Sequence, residues 1–174
     1  KECKNVKENV GLLDMTAFAK CRIKGPGAEE FLDKLVANKL PKKVGRINLC
    51  HALNTKGGVH SEFTIMRESE NSFYLVSAGA FQRLDHDWIF SWMPKDGSVQ
   101  FENLTNSKGV LVVSGPKARE LMQRVSNDDF SNENFKWLSA KQVDVGFAPV
   151  NAMRVNFVGE LGWELHHPIE YQNH

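Results

Sequence analysis

Two glutamates stand where a carboxylate could do chemistry. Glu62 closes "GGVHSE" and Glu164 lies inside "VGELGWELHHP", each five positions past a turn glycine, Gly57 and Gly159 respectively. An ionised carboxylate accepts through two oxygens, so it can take up a proton, steady a cation, or receive a side-by-side pair of N–H donors. Strand alternation decides where each points. In "VHSEFTIMR" Val59, Ser61, Phe63 and Ile65 share one face, and His60, Glu62, Thr64 and Met66 the other. Glu62 therefore opposes the most apolar face, either as a functional group or as decoration of a wet sheet surface. In "GWELHHP" Trp163 and Leu165 take one face and leave Glu164 and His166 the other, with Arg154 or Asn156 across the turn. An ion pair with Arg154 then competes with a ligand-binding role. If the two hairpins belong to related halves, the two carboxylates face one pocket.

Other constellations are weaker. His166 with His167, and the run Asp85-His86-Asp87, are metal-ligand types. Adjacent strand residues point to opposite faces, however, and no third ligand stands at a recognisable spacing, so no metal site is expected. There is no GxGxxG, GxxxxGK[ST] or GxSxG, hence no signal for a dinucleotide, a nucleoside triphosphate or a serine hydrolase. Asp14 and Met15 in "VGLLDMTAF" read as a turn after an apolar run.

The elements that must carry these groups follow from pattern. "KCRIKG" (20–25) is a strand running into a helix over 26–40, where Pro26 suits a first turn and Phe31, Leu32, Leu35 and Val36 recur at helical spacing. Strands follow at 47–54, 59–67 and 72–78, then a helix over 81–93, which is a meander closed by a helix. Strands at 99–105 and 109–115 lead into a helix at 116–125. A polar loop (126–137) precedes a strand at 148–158, the turn "GELG" and the strand "WELHHP". Placing "IKGPGAEEFLDKLV" on "VVSGPKARELMQRV" matches Gly25 with Gly115, Pro26 with Pro116, Ala28 with Ala118, Glu30 with Glu120 and Leu32 with Met122. That match marks either a duplication or only the general liking of strand-to-helix junctions for Gly-Pro. The pattern predicts an α+β fold with antiparallel sheets.

Bulk properties narrow the partners. With 174 residues and 41% hydrophobic content the chain can bury an ordinary core. Its 22 basic and 21 acidic residues nearly cancel, so nothing marks nucleic acid or an anionic membrane as partner. The three cysteines, Cys3, Cys21 and Cys50, are widely spaced and favour a reducing compartment, cytoplasmic or mitochondrial matrix. No apolar run approaches the roughly 20 residues of a membrane span. A start at Lys1 and a stop soon after a strand fit a segment of a larger chain.

Taken in order, "VGLLDMTAFAKCRIKGPGAEEFLDKL", "LNTKGGVHSEFTI", "GVLVVSGPKAREL" and "RVNFVGELGWELHHP" resemble the folate-binding region of the glycine-cleavage T-protein (aminomethyltransferase) family, across nearly the whole chain. The nearest branch is similar to the C-terminal half of the dimethylglycine and sarcosine dehydrogenases. The resemblance implies one folate-binding domain over 1–174, built of two interleaved halves near 1–98 and 99–174, one of them ferredoxin-like. It implies tetrahydrofolate as cofactor, a small methylated amine as the other partner, and FAD only in a flavin-dependent oxidase domain of the same polypeptide, absent from this segment. Glu62 matches the family's catalytic aspartate, with an arm longer by one methylene. It would steady an iminium and take a proton from the folate amine, as a buried carboxylate of raised pKa could. Glu164 matches the glutamate that holds the pterin, whose adjacent amino and ring N–H groups fit two carboxylate oxygens at about 1.5–3 kcal/mol per charge-assisted bond. Phe157 stands where the family has tyrosine, keeping the ring and losing the hydroxyl. Val76 and Ser77 lie where the family edges the folate. A stand-alone T-protein or folate-dependent demethylase, and a non-catalytic regulatory member of the family, are the alternative functions.

Overall fold

The computed structural model describes residues 1–174. In chain order the elements are α1 (Glu2–Glu8), β1 (Gly11–Asp14), β2 (Ala19–Lys24), α2 (Ala28–Leu35), β3 (Ile47–Leu53), β4 (Val59–Ser69), β5 (Ser72–Ser77), α3 (Gln82–Trp92), β6 (Gln100–Asn103), β7 (Lys108–Ser114), α4 (Ala118–Val125), β8 (Ala140–Val145), β9 (Ala148–Met153) and β10 (Gly162–Pro168). Short 3-10 turns precede α3 and follow β10. The chain forms two compact units, Ala17–Thr105 and Lys1–Thr16 with Asn106–His174. Each holds one five-stranded sheet with every resolved pairing antiparallel. The fold is α+β, as the pattern predicts.

The sheet of Ala17–Thr105 runs β3-β4-β5-β2-β6. The other, taken in the matching direction, runs β8-β9-β10-β7-β1. In each, a strand enters a helix of eight residues through glycine (β2-α2 and β7-α4), a three-strand meander follows, and a short edge strand completes the sheet. The edge strands come from unexpected places. β1 precedes β2 in the chain yet pairs with β7, while β6 precedes β7 yet pairs with β2. Residues 1–16, which the sequence groups with the first half, thus lie in the sheet of the second.

The Gly-Pro match has a physical basis. Gly25 and Gly115 sit at φ of +122° and +130°, and a Cβ there would lie 2.4 Å from the Ser98 carbonyl oxygen and 2.5 Å from that of Asn9. Both glycine carbonyls accept from the N–H of the alanine that opens the helix, Ala28 and Ala118. Those alanines and the matched Leu32 and Met122 are buried. A second matched motif escaped the sequence reading. After β1, Asp14 Oδ1 accepts from Thr16 N, and Thr16 Oγ1 accepts from Val110 N of β7. After β6, Asn103 Oδ1 accepts from Thr105 N, and Thr105 Oγ1 accepts from Lys20 N of β2. The turn at Asp14 is an Asx-type turn whose threonine closes the neighbouring strand.

Boundaries differ where tertiary hydrogen bonds redirect the chain. α2 stops at Leu35 rather than near residue 40, because Ala37 N donates to His51 O and draws the backbone extended alongside β3. β9 stops at Met153 rather than Val158. β1 and β8 form where no strand is predicted. Their partners' ladders select them, since β1 is mostly exposed and "AKQVDV" of β8 has only weak alternation. The polar loop 126–137 hides two core residues, Phe130 and Phe135, which pack edge-on against Trp163.

Candidate functional site

β10 lies between β7 and β9, and this interior place buries its residues on both faces. Trp163 and Leu165 join the core cluster under α4 with Val113, Met122 and Phe130. Alternation sends Glu164 and His166 to the other face, where the residues level with Glu164 are Val112 of β7 and Met153 of β9. Glu164 is 6% exposed and His166 3%. The His166 Nε2 and Glu164 Oε2 atoms are 3.0 Å apart, and this is the side-chain partner recorded for the carboxylate. A buried carboxylate needs hydrogen bonds to offset lost hydration, and its second oxygen remains available for donors.

The anticipated pair between Glu164 and Arg154 does not form. Glu164 is level with Met153, so the next residue, Arg154, falls on the opposite face, where it lies over the ring of Trp163 and donates to the Phe135 carbonyl and to Asn132 Oδ1. Phe157 sits in the connection between β9 and β10, 85% exposed, with its ring open to solvent. Asn156 anchors that connection, donating through Nδ2 to Ser114 Oγ and accepting at Oδ1 from Val158 N.

In the other unit Glu62 lies on β4 opposite His51 of β3, as alternation places it, on the face away from Phe63 and Ile65. Its side chain is 56% exposed, and Oε2 lies 2.8 Å from His51 Nε2. The expectation of a buried carboxylate is therefore corrected, since β4 has only β3 beyond it and its Glu62 end reaches past β5, whose pairing begins at Thr64. Val76 is buried, level with Lys20 and Thr64. Ser77 ends β5 and donates from Oγ to Oδ2 of the buried Asp85 at 2.7 Å, which ties α3 to the sheet. Burial, with Asp85 nearby, pushes the Cys21 thiol up to about 12.

The equal spacing of the two glutamates from glycine does not reflect the repeat. Gly57 precedes β4, the second strand of its meander, whereas Gly159 precedes β10, the third. By register Glu164, level with Val112 three places before Gly115, corresponds to Tyr74, level with Arg22 three places before Gly25. His166, level with Val110, corresponds to Val76, level with Lys20. One partner escapes the sequence, His51. Neither spacing nor alternation picks out His51, because its relation to Glu62 is a cross-strand register set by the turn between β3 and β4. His166 was visible as a same-face neighbour of Glu164. No group of three or more His, Cys, Asp or Glu residues is placed to hold a metal ion.

The duplicated arrangement of meander, glycine-entered helix and exchanged edge strand defines an α+β protein of two like units. All of residues 1–174 match the family described as the GCVT N-terminal domain, and the chain belongs to that family. It is 40% identical over 170 residues to the human mitochondrial dimethylglycine dehydrogenase, covering 97% of this chain and 20% of that protein. It is 32% identical over 176 residues to the mouse mitochondrial pyruvate dehydrogenase phosphatase regulatory subunit, covering 99% of this chain and 20% of that one. The chain thus spans about a fifth of the length of these relatives. Among solved structures, the glycine cleavage system aminomethyltransferase T of Bartonella henselae matches with a TM-score of 0.81 and 21% identity over 97% of this chain and 45% of that one, a likeness of fold.

Proposed function

We propose that this domain binds tetrahydrofolate and serves in transfer of a one-carbon unit from an N-methyl amine, as the folate part of a dimethylglycine dehydrogenase-like enzyme. The observation that carries the reading is Glu164. A buried carboxylate with one histidine partner stands where the matching place in the other unit has Tyr74, so the sheet can be built without it. Its acceptor-only oxygens suit the paired N–H donors of a pterin. Tetrahydrofolate would supply the nucleophilic nitrogens that receive the carbon. In this reading Glu164 holds the pterin, His166 aims the carboxylate, and the exposed Phe157 ring offers a surface for stacking. In the other unit Val76 and Ser77 occupy the family's folate-edging positions, and Glu62, beside His51, the one that steadies cationic charge and accepts a proton. The other partners are a small methylated amine and a flavin-dependent oxidase domain, to which FAD belongs; the dehydrogenase relative favours a mitochondrial setting.

Calorimetric titration with tetrahydrofolate tests the reading. Glu164→Ala weakens binding by about ten- to a hundredfold, and unchanged affinity in that variant refutes the assignment. In the transfer reaction, Glu62→Gln retains binding and loses about a hundredfold or more in rate. The exposure of Glu62 and the similarity to a regulatory subunit favour a second reading, a folate-binding module without catalysis. Tetrahydrofolate binding with no transfer that depends on Glu62 would select it.

A further inference from the structure

Arg119, in the first turn of α4, and Arg154, just past β9, bring their guanidinium groups to one point. Arg119 donates from Nε to the Phe130 carbonyl at 2.8 Å and from Nη2 to Asn132 Oδ1 at 2.7 Å. Arg154 donates to the Phe135 carbonyl and, from Nη2, to the same Asn132 Oδ1 at 2.7 Å. Both cations lie over the Trp163 ring, at 5.9 and 5.8 Å from its centroid. Every recorded acceptor for the two cations is neutral. Of the acidic groups close in sequence, Glu120 pairs with Arg124, and Asp129 accepts from Ser131 N and Asn134 Nδ2.

Two like charges sharing one amide oxygen repel each other. Burial, and then the charge of Arg119, lower the affinity of Arg154 for its proton. Two more donors are surplus, because Arg154 Nε and Trp163 Nε1 are buried without a hydrogen-bond partner, and Trp163 is fully buried. Tying down loop 126–137 accounts for only part of this arrangement. A guanidinium has five N–H groups in a planar fork, and each arginine spends two bonds on the loop. What is lacking is a negatively charged, multiply accepting group.

We propose that Arg119 and Arg154, bridged by Asn132, form a binding site for a small oxyanion, a carboxylate or phosphate, on the face of the sheet opposite Glu164. Guanidinium forks match such groups bidentately, and a bound oxyanion would also relieve the repulsion between the two cations. The site is independent of the folate reading, since it shares neither residues nor sheet face with Glu164.

The test is titration of the whole chain with inorganic phosphate and, separately, with acetate, against sodium chloride at matched ionic strength, watching the arginine Nε–Hε resonances by NMR. Saturating oxyanion shifts the Arg119 and Arg154 signals and raises the melting midpoint by about 5 °C, while chloride does neither. Response to phosphate alone identifies a phosphate site; response to both identifies a general oxyanion site. Arg119→Gln, which keeps an N–H donor for the loop, weakens the binding about tenfold. Signals that move no more than in chloride, or an affinity unchanged in Arg119→Gln, overturn the proposal. The wild-type NMR experiment decides the matter even if Arg119→Gln fails to fold.

Discussion

The two units solve the same folding problem and differ in what they place on the face away from their helices. At matched positions both bury a large aromatic toward the helix, Phe73 level with Ile23 and Trp163 level with Val113. One residue further along, on the opposite face, one unit has Tyr74 and the other Glu164. The meander of Ala17–Thr105 carries its own carboxylate on an exposed stretch of β4, paired to His51. The lesson is that helix-side positions are held to a common packing requirement while the opposite faces have diverged. A charged group there is a cost to the fold unless a partner meets it.

The largest expected effects test whether the units are energetically alike. Phe73→Ala and Trp163→Ala each remove a fully buried ring and cost about 3–5 kcal/mol in urea unfolding; a loss below about 1 kcal/mol in either would break the equivalence. Gly25→Ala and Gly115→Ala force a side chain into a left-handed backbone against a carbonyl, and each lowers stability by about 1–3 kcal/mol. A much smaller loss at one site would show that its strand-to-helix junction can relax.

The carboxylates sharpen the contrast. Glu164→Ala removes a buried carboxylate hydrogen-bonded to His166 and costs about 1–3 kcal/mol, whereas Glu62→Ala removes an exposed pair and costs at most about 1 kcal/mol. Equal losses would mean that burial does not distinguish the two. The smallest effect is one of reactivity. Burial raises the thiols of Cys21 to about 12 and Cys50 to about 11, both in Ala17–Thr105. Because a raised thiol pKa leaves little thiolate at mildly alkaline pH, a thiol reagent should label only the exposed Cys3 in the native protein. Labelling of Cys21 and Cys50 then reports opening of that unit alone, and rapid native labelling of either would contradict the burial.

Much of this was legible from local pattern. Ser61 to Ile65 alternate between buried and more exposed positions, so the face of Glu62 could be read, and the helical spacing from Phe31 to Leu35 marked α2. Gly25 and Gly115 announced matching junctions because only glycine tolerates a positive φ beside a neighbouring carbonyl. The pairing of Glu164 with Arg154 does not form because the connection between β9 and β10 sets Glu164 level with Met153, and nothing local in "RVNFV" gives that register.

By itself the sequence determined the α+β class, the first meander, the glycine junctions and the family, since these depend on periodicity, backbone permission and ordered motifs within short windows. Tertiary structure alone decided that β1 and β6 cross to the other sheet, that Phe130 and Phe135 reach a core from a polar loop, and that His51 meets Glu62. The reason is that strand pairing across tens of residues, and with it register and burial, is chosen by the free energy of the assembled sheet and leaves little trace in any one segment.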